Sequence, residues 1–246
     1  MNTIKFVVIT QPRSGSTYLV ETLNSNPQLT CENELFNPRQ IVKIDSSQTD
    51  DSPPALRKRN NRPIQFLQNF YASADNTKVS AIGFNFMLGH NFKVLNYLLN
   101  QEEIKIIFLE RENKLGQASS WFKALDDRIW ATKNSKDIQA EKISFKRFQY
   151  IGQINLSKTL DSLFKRAIKN RPNTLRVTYS DFAHLDSLLA SVARFLNVDN
   201  QFQPSSLLKQ NPNSLIERFA NPKQVISTCK TYGLSDWLEN ELKQVK

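Results

Sequence analysis

The sequence has two cysteines among 246 residues and no apolar run near the about 18 residues of a membrane-spanning helix. Two cysteines, Cys31 and Cys229, are too few for a disulfide framework, so we expect both to be reduced in a cytoplasmic protein. A strand pattern begins within four residues of the N-terminus, so we expect no signal peptide. We also find no internal repeat, and we predict a single domain over residues 1–246 with one substantial core.

Positive charge exceeds negative charge, with 33 Lys and Arg against 23 Asp and Glu and a formal net charge of +10. Such an excess attracts polyanionic ligands, although it also occurs on surfaces that only promote solubility. Nucleic acid is the less favoured polyanion. The basic cluster at residues 57–62 stands alone, without a recognisable nucleic-acid-binding module.

Residues 4–19 carry the most informative pattern. A β-branched apolar run over residues 4–9 predicts a buried strand, and a hydroxyl-rich turn around Gly15 leads into a helical pattern. A strand, loop and helix in this order present backbone N–H groups and a positive helix end to an anion. Arg13 lies in the loop, so a phosphate or sulfate group is the expected guest. An ordinary turn, in which Ser16 or Thr17 only caps the helix, is the alternative.

Two features of nucleotide kinases are missing. No lysine precedes Ser16 or Thr17, as a Walker A loop requires, and the strand at residues 104–109 leads into Glu110 and Arg111 rather than into a magnesium-binding Asp. We therefore expect a P-loop-like anion site that holds no metal.

Predicted strands and helices alternate along the chain. Strands are expected at residues 4–9, 29–31, 79–86, 104–109 and 173–178, and helices at 16–24, 92–99, 114–125, 154–168 and 181–197, with short helices over 214–239. This alternation predicts an α/β fold, a P-loop-like three-layer sandwich whose central, mostly parallel sheet is flanked by helices. In the helix at 154–168, the pattern places Leu156, Leu160, Leu163 and Phe164 on one face.

Two segments, residues 39–63 and 126–146, have few core residues. We interpret them as lids or acceptor-facing loops, with mobile surface connections as the equal alternative.

The loop resembles a motif of the sulfotransferases that use 3′-phosphoadenosine 5′-phosphosulfate (PAPS), which often carry P-R-S-G-[ST] at the site of the 5′-phosphosulfate. Residues 12–19 read P-R-S-G-S-T-Y-L. Three further segments resemble family motifs and follow the loop in family order: residues 31–38, Arg111 with Ser119 eight positions later, and residues 175–182. The resemblance spans residues 4 to about 196.

The resemblance implies a set of nucleotide-binding residues and the cofactor PAPS, with PAP as its product. The 5′-phosphosulfate is expected at Arg13, Ser14, Gly15, Ser16, Thr17 and Tyr18. Arg111 and Ser119 are expected to hold the 3′-phosphate, with Ser120 as the substitute if the register slips by one residue. Tyr179 and Lys209 are the remaining expected contacts. Arg13 is also expected to stabilise the departing phosphate, since a guanidinium stays charged and bridges two oxygens.

Sulfonate transfer to a hydroxyl needs a proton acceptor. Glu34 is the first candidate because it matches the glutamate of a family "G-E-[LIV]-F" segment, and Glu32 is the substitute. His90 is the competing candidate, after a strand similar to the family's "G-x-K-x-M" segment in which Asn85 replaces the lysine. His184 is expected to be structural.

The sequence therefore predicts a metal-free, in-line sulfotransferase that acts on a carbohydrate, lipid or small-metabolite hydroxyl. Two alternatives stay open: an ATP-dependent phosphotransferase, and a non-catalytic nucleotide- or polyanion-binding protein. The sequence does not indicate an oligomeric state.

Overall fold

A computed structural model describes residues 3–76, 78–138, 141–212, 214–239 and 241–242, without the side chains of residues 75, 76 and 137. The strands are β1 (Ile4–Thr10), β2 (Leu29–Glu32), β3 (Ala81–Met87), β4 (Lys105–Glu110) and β5 (Thr174–Thr178). The helices are α1 (Ser16–Asn24), α2 (Pro53–Asn61), α3 (Pro63–Ala72), α4 (Phe92–Asn100), α5 (Lys114–Asp127), α6 (Arg147–Ala167), α7 (Leu185–Leu196) and α8 (Pro222–Thr231). Short 3₁₀ turns include Tyr179–His184, Ile216–Arg218 and Ser235–Leu238.

The five strands form one sheet in the order β2-β3-β1-β4-β5, and every neighbouring pair is parallel. The chain leaves β1 toward β2 and β3 on one side and returns to β4 on the other. The carboxyl ends of β1 and β4 therefore border a point where the direction of strand order reverses, and open α/β sheets bind ligands at such a point.

Helices cover both faces of the sheet. Along β1, Phe6 and Val8 face a cluster that includes residues of α1 and α7, while Val7 and Ile9 face a cluster that includes residues of α3, α4 and α6. This alternation has the two-residue period of a strand buried on both sides. The predicted α/β sandwich with a parallel central sheet is confirmed.

The predicted buried face of α6 is wrong in part. Phe164 is buried, but Leu156 and Leu163 are 54% and 58% exposed, and the inward stripe consists of Tyr150, Ile154, Ser157, Asp161 and Phe164. Two polar residues thus occupy inward positions. The apolar residues did not indicate the buried face of α6, because Asp161 faces a polar network beneath the candidate site rather than solvent.

The segment at residues 39–63 is more ordered than its composition indicates. It contains α2, whose N-cap Ser52 accepts a hydrogen bond from the Ala55 amide, and it leads into α3, which the pattern did not predict. Arg59 of the basic cluster is buried and donates to the carbonyls of Leu35 and Asn37 at 3.0 and 2.8 Å. The cluster is therefore not a continuous basic surface.

Two helix starts also differ from the prediction, and the first is that α6 begins at Arg147 rather than at residue 154. Helix α7 begins at Leu185 rather than at Asp181, because the Asp181 carboxylate accepts from the Thr178 amide at 2.7 Å and closes a 3₁₀ turn first.

Cys31 and Cys229 are both buried and unpaired. Within the described ranges, no helix has the length and hydropathy needed to span a bilayer.

Candidate functional site

The loop between β1 and α1 has an irregular backbone. Arg13 and Gly15 have φ of 65° and 90°, whereas Ser14 between them has a negative φ. Alternating right- and left-handed residues are the pattern of an anion-binding nest of amides. Gly15 is the N-cap of α1 and contributes no side-chain cap, and Ser16 is the first residue of the helix. A helix cap made by Ser16 or Thr17 is therefore not the reason for this sequence.

Glycine is required at position 15 for a second reason. A Cβ there would lie 2.8 Å from the Phe182 ring and 3.3 Å from the Tyr179 ring. The 3₁₀ turn after β5 therefore packs directly on the loop.

The Arg13 side chain reaches across the loop toward α5. Its Nε donates to Ser120 Oγ at 2.9 Å, and its Nη2 donates to Gln210 Oε1 at 2.9 Å. The guanidinium also lies 5.9 Å from the Trp130 ring centre. Burial and the nearby charge of Arg111 lower the pKa of Arg13 to about 10, so the side chain is still protonated at neutral pH.

Arg111 lies beside this loop, immediately after β4. Its Nη1 donates to the Arg13 carbonyl at 2.8 Å, and its guanidinium lies 4.3 Å from the Tyr179 ring centre. The predicted cation at the end of β4 and the predicted anion loop are thus in direct contact. Tyr179, also predicted at the site, flanks both.

Ser119 and Ser120 point to different partners. Ser119 is fully buried, and its hydroxyl accepts from Arg218 Nη1 at 3.0 Å. The Ser120 hydroxyl instead accepts from Arg13. Ser119 and Ser120 therefore accept from different arginines, Arg218 and Arg13.

Two buried arginines share one carboxylate here. Glu241 accepts from Arg111 Nε and Nη2 at 2.7 and 2.6 Å, and from Arg218 Nη2 at 2.8 Å. Burial acts to lower the pKa of Arg111, but Glu241 outweighs it and the pKa is raised. For Arg218, burial and the charge of Arg111 prevail over Glu241, so its pKa is lowered. We call Arg111, Arg218 and Ser119 the arginine clamp.

A buried ion pair supports the loop and the clamp from below. Lys114 Nζ pairs with Asp161 of α6 and also donates to the Arg111 carbonyl. Asp161 also accepts from Gln11 Nε2, at the start of the loop. One carboxylate of α6 thereby fixes the two backbone segments that form the site.

The remaining predicted nucleotide contacts lie around this centre. Ser14 is buried, and its hydroxyl accepts from Gln117 Nε2 at 3.3 Å. Tyr18 packs edge-on against Phe182, with ring centres 5.5 Å apart. Thr17, in the first turn of α1, is half-buried.

Lys209 lines a cavity of about 530 Å³ together with Gln210 and Arg218. Burial and the charge of Arg218 lower the pKa of Lys209 to about 8. Since Gln210 accepts a hydrogen bond from Arg13, this cavity adjoins the loop.

The two candidate proton acceptors form a pair on the β2–β3 side of the loop. Glu34 Oε2 lies 3.7 Å from His90 Nε2 and accepts from Asn37 at 2.8 Å. Burial raises the pKa of Glu34, although the Asn37 hydrogen bond opposes the rise. Burial and the charge of Arg59 lower the pKa of His90 to about 4. We therefore treat His90 as neutral at pH 7, and the 3.7 Å separation as a contact rather than an ion pair.

The substitute residues have other partners. Glu32 accepts from the Ile44 amide at 2.7 Å and from Lys43 at 3.2 Å, which ties it to the segment after β2. Asn85 is buried and donates to Ser16 Oγ at 3.3 Å, so this position contacts the loop without carrying a charge. His184 is exposed.

The sequence pattern missed Glu241, Lys114 and Asp161 entirely. For Asp161 a signal existed, because a carboxylate in the middle of an amphipathic helix at a buried spacing requires a partner. For Glu241 no local signal existed.

No protein-family model matches the sequence, and no curated protein matches it. Among solved structures, the chain is similar to a sulfotransferase from Alicyclobacillus acidocaldarius, at 15% identity and a TM-score of 0.48 over 96% of this chain and 99% of that one. It is also similar to the sulfotransferase domain of the Synechococcus PCC 7002 olefin synthase, at 16% identity and a TM-score of 0.48 over 94% and 93% of the two chains.

A third similar structure is mouse sulfotransferase SULT7A1 complexed with PAP, at 17% identity and a TM-score of 0.47 over 80% of this chain and 59% of that one. All three are sulfotransferases, the family whose motifs the sequence resembles.

Proposed function

We propose that this chain is a PAPS-dependent sulfotransferase that transfers a sulfonate group to a hydroxyl of a carbohydrate, lipid or small metabolite. The observation that carries the proposal is the contact between the β1–α1 loop and Arg111, whose Nη1 donates to the Arg13 carbonyl at 2.8 Å. Two anion-binding elements, distant in sequence, thereby adjoin at the carboxyl edge of the sheet. A ligand with two anionic groups matches such an arrangement.

The residues present fit the donor nucleotide. The left-handed backbone at Arg13 and Gly15 suits a nest for the 5′-phosphosulfate, held by the amides of residues 14–17. The arginine clamp already binds an oxyanion, the carboxylate of Glu241. A carboxylate and a phosphate accept the same two parallel N–H bonds from a guanidinium, so the clamp suits the 3′-phosphate.

When bound, PAPS supplies an activated sulfonate whose leaving group is a phosphate. The protein's contribution is alignment and a fixed positive field. Arg13 remains charged at neutral pH, as noted above, and would stabilise the negative charge of the leaving phosphate.

On the acceptor side, Glu34 would take the hydroxyl proton. Its raised pKa makes it a stronger base than a solvated glutamate. Neutral His90, 3.7 Å away, would orient Glu34 or the acceptor through Nε2.

Calorimetric titration with PAP and, separately, with ATP and magnesium tests the donor site. PAP should bind the wild-type chain without magnesium, and ATP with magnesium should bind at least roughly tenfold more weakly, a difference of about 1.4 kcal/mol. Stronger, magnesium-dependent ATP binding would instead favour the phosphotransferase.

Transfer from labelled PAPS to a panel of glycans, lipids and small hydroxyl compounds tests the activity. Arg13→Ala should abolish turnover with little loss of PAP affinity, since the charge acts mainly in the transition state. Arg57→Ala, a change at an exposed arginine, is the matched control. Nucleotide binding with no transfer to any acceptor would favour a binding protein.

A further inference from the structure

The C-terminal segment follows the 3₁₀ turn Ser235–Leu238 and returns to the candidate site. The Trp237 carbonyl accepts from Asn113 Nδ2 at 2.8 Å, and Trp237 and Leu238 pack against the cluster between α5, α6 and α8. Four residues beyond Trp237, the Glu241 side chain enters the arginine clamp and is only 1% exposed. An acidic side chain near the end of the chain is thus among the most deeply buried charges at the site.

Helix α5 leaves space for this carboxylate at Gly116. A Cβ at Gly116 would collide with the Glu241 carboxylate, so the group fits only because residue 116 lacks a side chain. The fork of Arg111 binds both carboxylate oxygens, while Arg218 binds one of them and also donates to Ser119. These are the groups that the proposed function assigns to the 3′-phosphate.

The excess positive charge around the carboxylate favours its replacement by an anion of higher charge. Two guanidinium groups face a single negative charge, and Lys209 adds to the positive field, since it is close enough for the charges of Arg218 and Glu241 to shift its pKa. A phosphate with up to two negative charges and three oxygens satisfies the same donors more fully. Two buried guanidinium groups without a counter-ion would destabilise the fold, and the carboxylate prevents this arrangement.

We propose that Glu241 is an internal ligand of the 3′-phosphate subsite, and that an anion enters the arginine clamp only when the C-terminal segment withdraws this side chain. The inference rests on the proposed function for the identity of the nucleotide. Its physical core, competition between Glu241 and a phosphate group, concerns the clamp alone. Such competition lowers the apparent affinity by the fraction of molecules in which the clamp is open.

Glu241→Gln tests the competition, with Asp236→Asn as the matched control at an exposed acid of the same segment. The first probe is inorganic phosphate, and its effect on stability is measured by thermal unfolding. Glu241→Gln should be less stable than wild type without phosphate and should regain stability as phosphate is added. Wild type and Asp236→Asn should respond little. Equal responses in all three proteins would overturn the inference.

The second probe is PAP, compared with 5′-AMP, which has no 3′-phosphate. Loss of the competing carboxylate should tighten PAP binding by roughly tenfold, the effect of one charge-assisted hydrogen bond, and leave AMP binding nearly unchanged. Unchanged or weaker PAP binding would overturn the competition. If phosphate rescues Glu241→Gln while PAP binds none of the proteins, the internal ligand stands and the proposed function fails.

Hydrogen–deuterium exchange on the wild-type chain avoids any folding defect of the variant. Saturating PAP should reduce protection in peptides that cover residues 235–246 and increase protection in peptides that cover residues 11–18. Increased protection of the C-terminal peptides would show that the segment closes over the ligand together with Glu241, and would overturn the inference.

Discussion

Replacing Arg111 by lysine keeps the positive charge after β4 but removes the planar fork. In the structure this guanidinium makes three hydrogen bonds, at 2.7 and 2.6 Å to Glu241 and at 2.8 Å to the Arg13 carbonyl. A lysine ammonium is a point charge that cannot reproduce a bidentate pair. If the fork binds the 3′-phosphate, the variant loses at least one charge-assisted hydrogen bond, worth about 1.5–3 kcal/mol.

The loss in affinity should be at the low end of this range. Arg111 also binds Glu241, so the substitution weakens the internal competitor together with the ligand. We therefore expect about 1.5 kcal/mol, or a roughly tenfold higher Kd for PAP in magnesium-free calorimetry. Affinity for 5′-AMP, which lacks the 3′-phosphate, should fall by no more than roughly threefold.

Arg176→Lys is the matched control, because Arg176 lies on neighbouring β5 with its side chain 61% exposed. It should leave both affinities unchanged. Equal losses for PAP and AMP in Arg111→Lys would refute the assignment, since they would show that Arg111 acts only by holding the loop through Arg13.

Three further predictions follow from the buried charges. Asp161→Asn should lower the free energy of unfolding in urea by roughly 3 kcal/mol, because it leaves Lys114 without its buried counter-charge. The His90 pKa of about 4 lies below the usual 6.5, so the unfolded chain binds more protons than the folded chain between these pH values. The free energy of unfolding should therefore fall by about 3 kcal/mol as the pH drops from 6.5 to 4. Glu34→Gln should reduce kcat by roughly 100-fold or more with PAP affinity unchanged, as expected for a general base.

Each of these has its own control. Asp186→Asn, at an exposed acid of α7, should change stability by less than about 0.5 kcal/mol, and a similar small effect of Asp161→Asn would contradict the buried pair. His90→Asn should remove its part of the pH dependence between 4 and 6.5, and an unchanged profile would assign it to another group. A Glu34→Gln enzyme with wild-type kcat would leave His90 as the acceptor of the proton.

The patterns that predicted the fold correctly were local. The run at residues 4–9 fixes β1, because β-branched apolar residues suit a strand covered on both faces. The position of Arg111 after a second apolar run was enough to place it at the carboxyl edge of the sheet, beside the loop. The parallel order of the strands follows from the alternation of strands and helices, as predicted.

The elements that the sequence did not predict depend on distant contacts. Helix α3 was missed, although Leu67 and Tyr71 bury its inner face against the sheet. Asp161 is inward because it meets Lys114 and Gln11, which lie 47 and 150 residues away. Glu241 reaches Arg111 across 130 residues. Such pairs have no periodicity, so the sequence pattern can indicate that Asp161 needs a partner but cannot identify Lys114, Gln11 or Arg111 as the residues involved.

A crystal structure of the chain with PAP, grown without magnesium, tests the central claim most directly. The account predicts the 5′-phosphate on the amides of residues 14–17 and the 3′-phosphate between Arg111 and Arg218, with Glu241 withdrawn. A nucleotide bound elsewhere, or one whose two phosphates do not contact both the loop and the clamp, would contradict it.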